Sequence, residues 1–532
     1  MSSELERTSR LVRRSLDPET VPVFEDRLES QAEWLRTAIE EGRMNNDDFA
    51  VGLELELYAV TADGATATTD RAADAGGPHL APLPDSVFET TGVNKELGVH
   101  NAEINTEPTL LSDGGLAAQA TAIRDRTEAA RAAARTHERE LVLDSVWTLP
   151  PEEGAVEYLS STTSHDGVVF AEHMRQAPRY VALDNHVLEH ADDGPVPLSV
   201  PGADHGFPTI LFESLATSIQ PHLQVPTAAE LPAYYNTAIR TLAPTLALSV
   251  NSPFLPGALY NEVDDPETLV EETHDELRIA IFEQSVNHTP NAKVRVPRDI
   301  ETATDVVDRV REDDRCAPFL REWVDDESDR ETLADRIWEF DHKRGTYWRW
   351  LRCVIGGARI GPGNDEQSLR IEYRPIPCQP TVTDVVGMQA LVVGLIHGLV
   401  TADHPITELP WEVAESNFYS AAEAGIHAEL DWITADGTRT TDRDRIFADV
   451  FSHARSGLSA VGVPADDIER YLSPIEERWS LRTTPSDWKR ARVRNALEDG
   501  AELETAIAEM QREYLRHSLT ADSFVEWLPS TE

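Results

Sequence analysis

Two glutamates alternate with leucines near residue 50, in the run GLELEL at residues 52–57. Side chains of a strand point to opposite faces in turn, so the leucines share one face while Glu54 and Glu56 share the other. Two adjacent carboxylates on an apolar strand are unfavourable unless a positive group lies between them. A divalent metal ion would supply that charge, and the alternative is a polar sheet face open to water.

Three further segments place polar side chains on one face of a predicted strand. Glu103, Asn105 and Glu107 form one such set, and Glu96 lies just upstream of it. The other two sets are Gln220, His222 and Gln224, and Arg370, Glu372 and Arg374. Pro221 lacks a backbone donor, so its strand is predicted to have an edge or a bulge there. Four such strands predict a sheet with one concave polar face.

These residue types fit phosphoryl transfer assisted by a metal ion. Mg²⁺ prefers carboxylate oxygens and bridges to nucleotide phosphates. Arginines neutralise a transferring phosphoryl group and bind carboxylates through two hydrogen bonds. Positioning and charge neutralisation then suffice, without a covalent intermediate on the protein. Judged by its residue type alone, His222 is better explained as a structural histidine than as a ligand.

Several standard sites are absent from the sequence. It contains no GxxxxGK[ST] loop, no GxSxG elbow and no HExxH helix. Any ATP is therefore held without a Walker motif. The histidines of the 165–205 region lack tight ligand spacing and are predicted to be loop and surface residues. They are His165, His173, His186, His190 and His205.

The elements around the polar strands show no regular alternation of strand and helix. Helices are predicted over residues 17–43, 112–138 and 227–248, and long loops over 62–86 and 186–208. Intermixed strands and helices of this kind predict an α+β fold with an antiparallel sheet. The chain is divided into three segments: an N-terminal helical segment (1–45), a catalytic domain (46–404) and a C-terminal helical segment (405–532).

The charge balance is strongly acidic, with 95 Asp and Glu against 47 Lys and Arg and a formal net charge of −48. Nucleic acid and anionic membranes attract basic patches, so neither is an expected partner. Only four of the basic residues are lysines. We interpret this composition as adaptation to a salty (halophilic) cytoplasm, where salt screens the repulsion. An ordinary acidic protein is the alternative.

Cysteine content and hydrophobic patterning indicate a cytoplasmic protein. The three cysteines (Cys316, Cys353 and Cys378) are odd in number and form no CxxC pair, so free thiols are expected. The N-terminus has arginines but no apolar segment typical of a secretory signal. The apolar stretch from Val385 to Val400 is shorter than the ~20 residues that span a bilayer, and a buried helix is predicted instead.

Taken together, these motifs resemble the glutamate–cysteine ligase type 2 family of carboxylate–amine ligases over roughly residues 46–400. VGLELELYAV resembles the opening G-x-E-x-E strand, and NKELGVHNAEINTEPTLL resembles the second acidic strand. SLATSIQPHLQV is similar to the third strand, ALSVNSPFLPG to the helix-ending A-x-x-A-N-S-P motif, and SLRIEYRPIPCQPT to the late E-x-R strand. Arg278 stands where members place an arginine.

The resemblance implies a curved antiparallel sheet of the glutamine synthetase superfamily that holds ATP, Mg²⁺ and an acyl substrate. It implies that ATP phosphorylates a carboxylate, typically the γ-carboxylate of glutamate, and that an amine such as cysteine attacks the acyl phosphate. The implied Mg²⁺ ligands are Glu54, Glu56, Glu96, Glu103 and Glu372. Arg374 and Arg278 are assigned to phosphate or substrate carboxylate, and Gln220, His222 and Arg370 to ATP.

The third strand departs from the family pattern, because it reads Q-P-H where paired histidines are commoner. The chain is also longer than a compact member. Both departures concern the substrate more than the chemistry. The alternatives are a ligase for a different amine, a non-catalytic ligand-binding or regulatory protein on the same fold, and a metal-dependent hydrolase. The expected partners are small-molecule substrates, and the oligomeric state is open.

Overall fold

An antiparallel sheet of eight strands forms the centre of the protein in the computed structural model. The structure describes residues 2–46, 49–62, 77–112, 114–191, 194–288, 291–323, 332–357 and 368–528. In chain order the strands are β1 Ala50–Thr61, β2 Asn94–Lys95, β3 Asn101–Asn105, β4 Thr109–Leu110, β5 Arg139–Val142, β6 Thr162–His165, β7 Val168–Ala171, β8 Val196–Val200, β9 Ala203–Phe207, β10 Ile219–Val225, β11 Leu351–Ile355, β12 Leu369–Tyr373, β13 Trp432–Ile433 and β14 Arg439–Thr440.

The main sheet has the order β11-β12-β10-β1-β3-β2, and β4 and β5 also pair with β1. All of these pairs are antiparallel. The sheet is strongly curled into half of a barrel. The prediction of an α+β fold with a curved antiparallel sheet is confirmed. The remaining strands form the hairpins β6–β7, β8–β9 and β13–β14.

Helices surround the sheet and account for both ends of the chain. They are α1 Ser2–Leu16, α2 Thr20–Glu40, α3 Asp85–Thr91, α4 Gly115–Arg135, α5 Ala155–Ser160, α6 Pro178–His190, α7 Leu231–Ser249, α8 Pro266–Glu272, α9 Leu277–Val286, α10 Asp305–Glu312, α11 Leu333–Arg336, α12 Trp338–Arg344, α13 Val382–Thr401, α14 Trp411–Ala424, α15 Arg443–Ala460, α16 Ala465–Leu481, α17 Pro485–Glu498 and α18 Leu503–Thr520.

The apolar face of the sheet packs against α7 and α13. Leu53 of β1 and Ile371 of β12 are buried on this face. The hydroxyl of Tyr373 lies 2.7 Å from Thr245 Oγ1 of α7, and Gln389 Nε2 of α13 donates to the Gly52 carbonyl at 3.1 Å. Covering one face in this way leaves the opposite face, which carries the charged side chains, as the wall of the polar site.

Helix α13 contains the long apolar stretch noted in the sequence. Among the described residues it is the one helix long and apolar enough to cross a membrane, but 89% of its most apolar window is buried inside the protein. The prediction of a buried helix is confirmed. All three cysteines are free and buried, as expected.

Pro221 lies in a central strand, at a bulge rather than at an edge. β10 pairs with β1 on one side and with β12 on the other. On the β12 side His222 is opposite Glu372, but the next bridge joins Ser218 to Pro377, so β12 carries one extra residue. The missing N–H of Pro221 faces this bulge, where the ladder is already interrupted.

The loop predicted over residues 186–208 is wrong. Residues up to His190 continue helix α6, and β8 and β9 form a hairpin with buried Val196, Leu198 and Phe207. The prolines and glycines that suggested a loop lie at the ends of the strands and on the exposed side of this two-stranded ribbon, where a missing donor is tolerated. Of the loop predicted over 62–86, residues 63–76 lie outside the described part, and Asp85 begins α3.

The histidines of this region are not all loop and surface residues. His186 and His190 lie on α6, and His186 is buried. His165 and His205 lie in β6 and β9. The strand predicted over 214–225 begins only at Ile219, because a 3₁₀ turn occupies Ile210–Leu215.

Both helical ends of the chain share a hydrophobic core with the middle. Phe24 of α2, Leu391 of α13 and Ile475 of α16 belong to the same buried cluster. The fully buried ion pair Arg478–Asp384 also joins α16 to α13, with a 2.7 Å hydrogen bond. The division at residues 45 and 404 stays a prediction about chain organisation. The C-terminal part is almost wholly helical, as predicted, apart from the small hairpin β13–β14.

Candidate active site

Polar side chains from neighbouring strands face each other across the curled sheet. Glu56 of β1 is opposite Glu103 of β3, and Glu54 is opposite Gln220 of β10. His222 of β10 is opposite Glu372 of β12. The alternation predicted from the sequence therefore places these side chains on one face, because antiparallel partners in register point the same way.

Four carboxyl groups from separate elements form an acidic cluster. Its members are Glu56 (β1), Glu96 (between β2 and β3), Glu103 (β3) and Glu213 (the 3₁₀ turn Ile210–Leu215). All four line a cavity of about 180 Å³, and Arg278 and Arg374 line the same cavity. Glu56 is held in place by Ser218, whose backbone N and Oγ donate to it at 2.6 and 2.9 Å. The sheet and the 3₁₀ turn thus bring four acids to one wall.

These carboxyl groups destabilise one another's charged forms. Burial raises the pKa of Glu103 to about 7, and the charges of Glu54 and Glu56 add to the effect. Burial and the charge of Glu56 raise the pKa of Glu213 to about 8. Burial, and then the charge of Glu103, raises the pKa of Glu96 well above its usual range. At this wall, burial and repulsion between carboxylates raise the pKa values more than the nearby arginines lower them.

The donor chemistry of the acidic cluster suits a divalent metal ion. Its donors are all carboxylate oxygens, which Mg²⁺ prefers. Leu97 N donates to the carboxylate of Glu96 at 3.2 Å. The raised pKa values indicate that these carboxyl groups lack a nearby positive charge. A divalent cation would supply it.

Glu372 and Arg374 form a charged network, which Gln220 links to Glu56 of the acidic cluster. Arg374 donates to Oε1 of both Glu372 and Gln220. Arg352 Nε donates to Glu372 Oε2 at 2.7 Å. Burial acts against ionisation, but Arg352 and Arg374 hold the pKa of Glu372 well below its usual range. Both oxygens of Glu372 are therefore engaged by guanidinium groups.

Arg278 is fixed by the backbone at the end of β12. Its guanidinium donates to the carbonyls of Arg374 and Pro375 at 3.0 and 3.2 Å, and it lies 5.4 Å from the ring centre of Trp350. Burial lowers the pKa of Arg278, and the charges of Glu56 and Glu276 act in the opposite direction. Its positive charge is thus presented to the cavity from a rigid support.

A second pocket adjoins the cavity at Glu54, which lines both. His222, Gln224 and Arg370 also line this pocket. His222 Nε2 lies 3.2 Å from Glu54 Oε1. Burial acts to raise the pKa of Glu54, but His222 outweighs it and the pKa is lowered. The polar face therefore has an acidic end and a mixed end that meet at Glu54.

The structure brings the residues predicted from the sequence together on this face. Those that line the cavity are Glu54, Glu56, Glu96, Glu103, Gln220, Arg278 and Arg374. His222 and Arg370 line the second pocket. Glu372 is buried and paired with the arginines between them. The roles assigned to these residues stay predictions.

Sequence reasoning missed Glu213 and three further charged or phenolic residues of the cavity wall. These are Arg179, Tyr180 and Arg352. Arg352 could have been found, because Leu351, Cys353 and Ile355 alternate with it as in a strand. Glu213 gives no such signal, since a single acid before a strand is common and only the 3₁₀ turn places it.

Most of the chain matches one known protein family. The model of a family described as "Glutamate-cysteine ligase family 2" (GCS2) matches residues 50–521. No curated protein sequence matches the chain significantly. The match to the family covers most of the chain, including every residue of the acidic cluster.

Solved structures align with the chain at low identity. The glutamate–cysteine ligase of Francisella tularensis, in complex with AMP, is 12% identical with a TM-score of 0.49, over 90% of each chain. A bifunctional glutathione synthetase from Pasteurella multocida is 15% identical with a TM-score of 0.48, over 89% of this chain and 53% of that one. This chain thus spans about half of that protein. The complex of the ubiquitin-like protein Pup with its ligase is 11% identical with a TM-score of 0.33, over 88% and 73%.

Proposed function

The chain belongs to the glutamate–cysteine ligase family 2, and from this membership we propose that it is an ATP- and Mg²⁺-dependent ligase that joins the γ-carboxylate of glutamate to an amine. Cysteine is the first candidate for that amine, which would make the product γ-glutamylcysteine and place the reaction in glutathione biosynthesis. The observation that carries the proposal is the acidic cluster, whose four carboxyl groups share one cavity with Arg278 and Arg374.

The residues of the acidic cluster would hold Mg²⁺, with Glu54 at its border. When bound there, Mg²⁺ would neutralise the phosphate oxygens of ATP and hold them in place. The protein contributes a rigid arrangement, because Ser218 and Gln220 fix the carboxylate of Glu56. Glu372 is assigned differently from the sequence prediction: its oxygens are taken by Arg352 and Arg374, and we propose that it orients these arginines.

Arg374 and Arg278 would bind the negative charge of the substrates. Arg374 is always charged, since the charge of Glu372 raises its pKa in spite of burial. A positive group held in a partly buried site acts at low dielectric and needs no reorganisation during the reaction. These two arginines would therefore neutralise the transferring phosphoryl group or the carboxylate that receives it.

The reaction would take place in two displacements. An oxygen of the glutamate γ-carboxylate attacks the γ-phosphorus of ATP, the bond to the β-phosphate oxygen breaks, and ADP leaves. The amine nitrogen then attacks the carbonyl carbon of the acyl phosphate, the C–O bond to phosphate breaks, and the nitrogen loses a proton. Inorganic phosphate and the amide are the products, which requires that water be excluded until the amine arrives.

The second pocket would take part of the nucleotide, with His222 and Arg370 as its contacts. Arg370 Nε is buried and has no hydrogen-bond partner among the residues that the structure describes. Gly357 has a positive φ of 116°, and a side chain there would lie 2.3 Å from Arg370 Nη1. The positive φ favours a glycine beside this guanidinium, and the pocket keeps one polar group for a ligand.

The proposal is tested by measuring ADP release with glutamate, ATP, Mg²⁺ and a panel of amines in molar KCl. We expect release to depend on both glutamate and cysteine. Stimulation by another amine but not by cysteine would identify that amine as the acceptor and leave the proposed reaction type unchanged. Nucleotide binding without turnover would favour a non-catalytic protein, and amide cleavage without ATP would favour a hydrolase.

Two variants distinguish an effect on the active site from a general loss of folding. Glu103→Gln is expected to abolish most of the ADP release, because it removes a carboxylate from the acidic cluster. Glu157→Gln, at an exposed position on α5, is the matched control and is expected to keep full activity. Equal activity in both variants would argue against the acidic cluster as the catalytic centre.

We also propose a cytoplasmic location in a cell with high internal salt. The support is the net charge of −48 and three free, buried cysteines, which a reducing compartment maintains.

A further inference from the structure

Two histidines and an aspartate form a cluster outside the active site. His404 follows the end of α13, and Asp449 and His453 lie one turn apart on α15. One candidate ligand atom from each residue can be chosen so that all three lie within 4.8 Å of one another. Nothing in the proposed ligase chemistry uses these side chains.

The side chain of His404 is fully buried, and one of its two ring nitrogens faces a hydrogen-bond partner. Its Nε2 lies 3.1 Å from Asp449 Oδ2, and its Nδ1 is buried with no hydrogen-bond partner in the described part of the chain. Two ligand atoms that bind one tetrahedral zinc ion at about 2.0–2.1 Å lie about 3.3 Å apart. The separation between His404 and Asp449 is therefore close to that of two ligands on a shared ion.

The other two residues are oriented in the way metal ligands usually are. His453 Nδ1 donates to the backbone carbonyl of Asp449 at 2.8 Å, which leaves the lone pair on Nε2. Trp432 Nε1 donates to Asp449 Oδ2 at 2.8 Å and holds the carboxylate. Hydrogen bonds of this kind to the ligating residues fix the tautomer and the orientation of the ligands.

Close packing of α13 against α15 makes the cluster rigid. A side chain at Gly398 of α13 would meet the His453 carbonyl at 2.0 Å, and one at Gly457 of α15 would meet the Gly394 carbonyl at 2.0 Å. The two helices can therefore approach closely only because these positions are glycines. This approach sets the turn that carries Asp449 and His453 beside His404.

We propose that His404, Asp449 and His453 bind a divalent transition-metal ion of the zinc type that clips the end of α13 to α15. Imidazole ligands suit Zn²⁺ and similar ions, whereas Mg²⁺ prefers the oxygens of the acidic cluster. Three protein ligands leave one coordination position for water. The site is separate in residues and in ligand chemistry from the proposed catalytic one.

The test uses Co²⁺ as a spectroscopic probe on the full-length protein after treatment with a chelator. We expect one equivalent of Co²⁺ to give the strong visible absorption of a tetrahedral site, and Zn²⁺ to remove it. His404→Ala and His453→Ala should lose the absorption. Glu103→Gln should keep it, which distinguishes this site from the acidic cluster.

His427→Ala is the matched control, because His427 also lies beside an aspartate, Asp487, at 3.5 Å, but on the surface. It should bind Co²⁺ like the unaltered protein. Absence of the absorption in the unaltered protein, or its persistence in His404→Ala, would overturn the proposal.

A second measurement covers the case in which an alanine variant does not fold. Zn²⁺ is expected to raise the Tm of the unaltered protein by about 2 °C or more, since an ion that binds only the folded state stabilises it. His453→Gln keeps a polar side chain without the imidazole, and its Tm should not respond to Zn²⁺. No response in the unaltered protein would show that the cluster is only a hydrogen-bonded contact between helices.

Discussion

Glu103 and Glu372 carry the same functional group in opposite surroundings. Glu103 lies among other carboxylates, and its pKa is raised to about 7 by burial and by Glu54 and Glu56. Glu372 lies between two arginines that hold its pKa well below its usual range despite burial. Residues that share a face of the sheet thus take different roles: Glu103 is suited to a cation, and Glu372 is suited to orienting Arg352 and Arg374.

Substitution of these two residues should therefore give different kinetic results. Glu103→Gln is expected to raise the Mg²⁺ concentration for half-maximal activity by ~10-fold or more, because it removes a metal ligand. Glu372→Gln is expected to lower kcat by ~10²-fold with little change in the Mg²⁺ requirement, because it releases the arginines. Mg²⁺ titrations of both variants measure the difference. A large change in Mg²⁺ requirement in Glu372→Gln would instead restore it as a metal ligand.

Asp184 of α6 predicts a pH dependence of stability that is independent of the metal. Its Oδ1 accepts a hydrogen bond from Ile210 N at 3.0 Å, and its Oδ2 has no partner among the described residues. Burial raises the pKa of Asp184 from 3.8 to about 7. Between these two pH values the folded state holds a proton on Asp184 that the unfolded state has lost. The free energy of unfolding therefore falls as the pH rises, and the stabilising contribution of the Asp184 proton is lost above pH ~7.

Asp184→Asn should remove this dependence, because an amide keeps the acceptor and cannot ionise. Urea unfolding at pH 5 and pH 8 should show that the unaltered protein loses up to about 2.5 kcal/mol more than the variant over this interval. Asp264→Asn, at an exposed position, should leave the pH dependence unchanged. An equal slope for Asp184→Asn and the unaltered protein would contradict the assignment.

Much of the site could be predicted because side chains alternate along strands. Glu54, Glu56 and Glu103 were recognised from this period, since register fixes which side chains share a face. Glu213 could not be recognised, because it reaches the cavity from a 3₁₀ turn. The pairing of Glu372 with Arg352 depends on β11, a strand that was not predicted. Residues positioned by tertiary contacts thus carry little local signal.

The C-terminal helices pack into the body of the fold through buried polar contacts. Lys489 of α17 is buried, and its Nζ donates to Asp144 Oδ1 at 2.6 Å and to the Asn251 carbonyl at 2.7 Å. Gln511 of α18 donates to Asp144 Oδ2 at 2.7 Å. These contacts join α17 and α18 to the segment that follows β5. The helices were predicted from their periodicity, but this docking depends on polar residues distant in sequence.

Loss of the Lys489 charge should therefore destabilise the whole protein. Lys489→Met leaves the Asp144 charge buried without its cation, and we expect a loss of about 3–5 kcal/mol in the free energy of unfolding. Arg482→Ala, which removes an exposed ion pair with Asp444, should cost less than about 1 kcal/mol. Denaturant unfolding of both variants measures the contrast. Similar small losses would show that the C-terminal helices unfold separately.

The molecule as a whole is acidic outside and keeps its few lysines inside. Of the four lysines, Lys293, Lys343 and Lys489 are buried and only Lys95 lies on the surface. Surface cations are therefore nearly all arginines, and the surface carries most of the excess of 95 acids over 47 bases. Such a surface repels itself at low salt.

We expect the Tm and kcat/KM to rise with KCl from 0.1 to 1 M, because the screening length falls from about 10 Å to about 3 Å over this range. Thermal unfolding and steady-state assays across the range measure both quantities. Sucrose, which carries no charge, is the control and should not reproduce the effect on activity. Greatest stability at low salt would contradict adaptation to a salty cytoplasm.

In the proposed reaction, the acidic cluster and the two arginines of the same cavity support transfer of a phosphoryl group to a carboxylate. The most direct test follows ¹⁸O from glutamate labelled in its carboxylates, with ATP, Mg²⁺ and cysteine, into inorganic phosphate by mass spectrometry. An acyl phosphate predicts one ¹⁸O atom in the phosphate for each amide formed. Amide formation with unlabelled phosphate would contradict transfer of the phosphoryl group to the carboxylate.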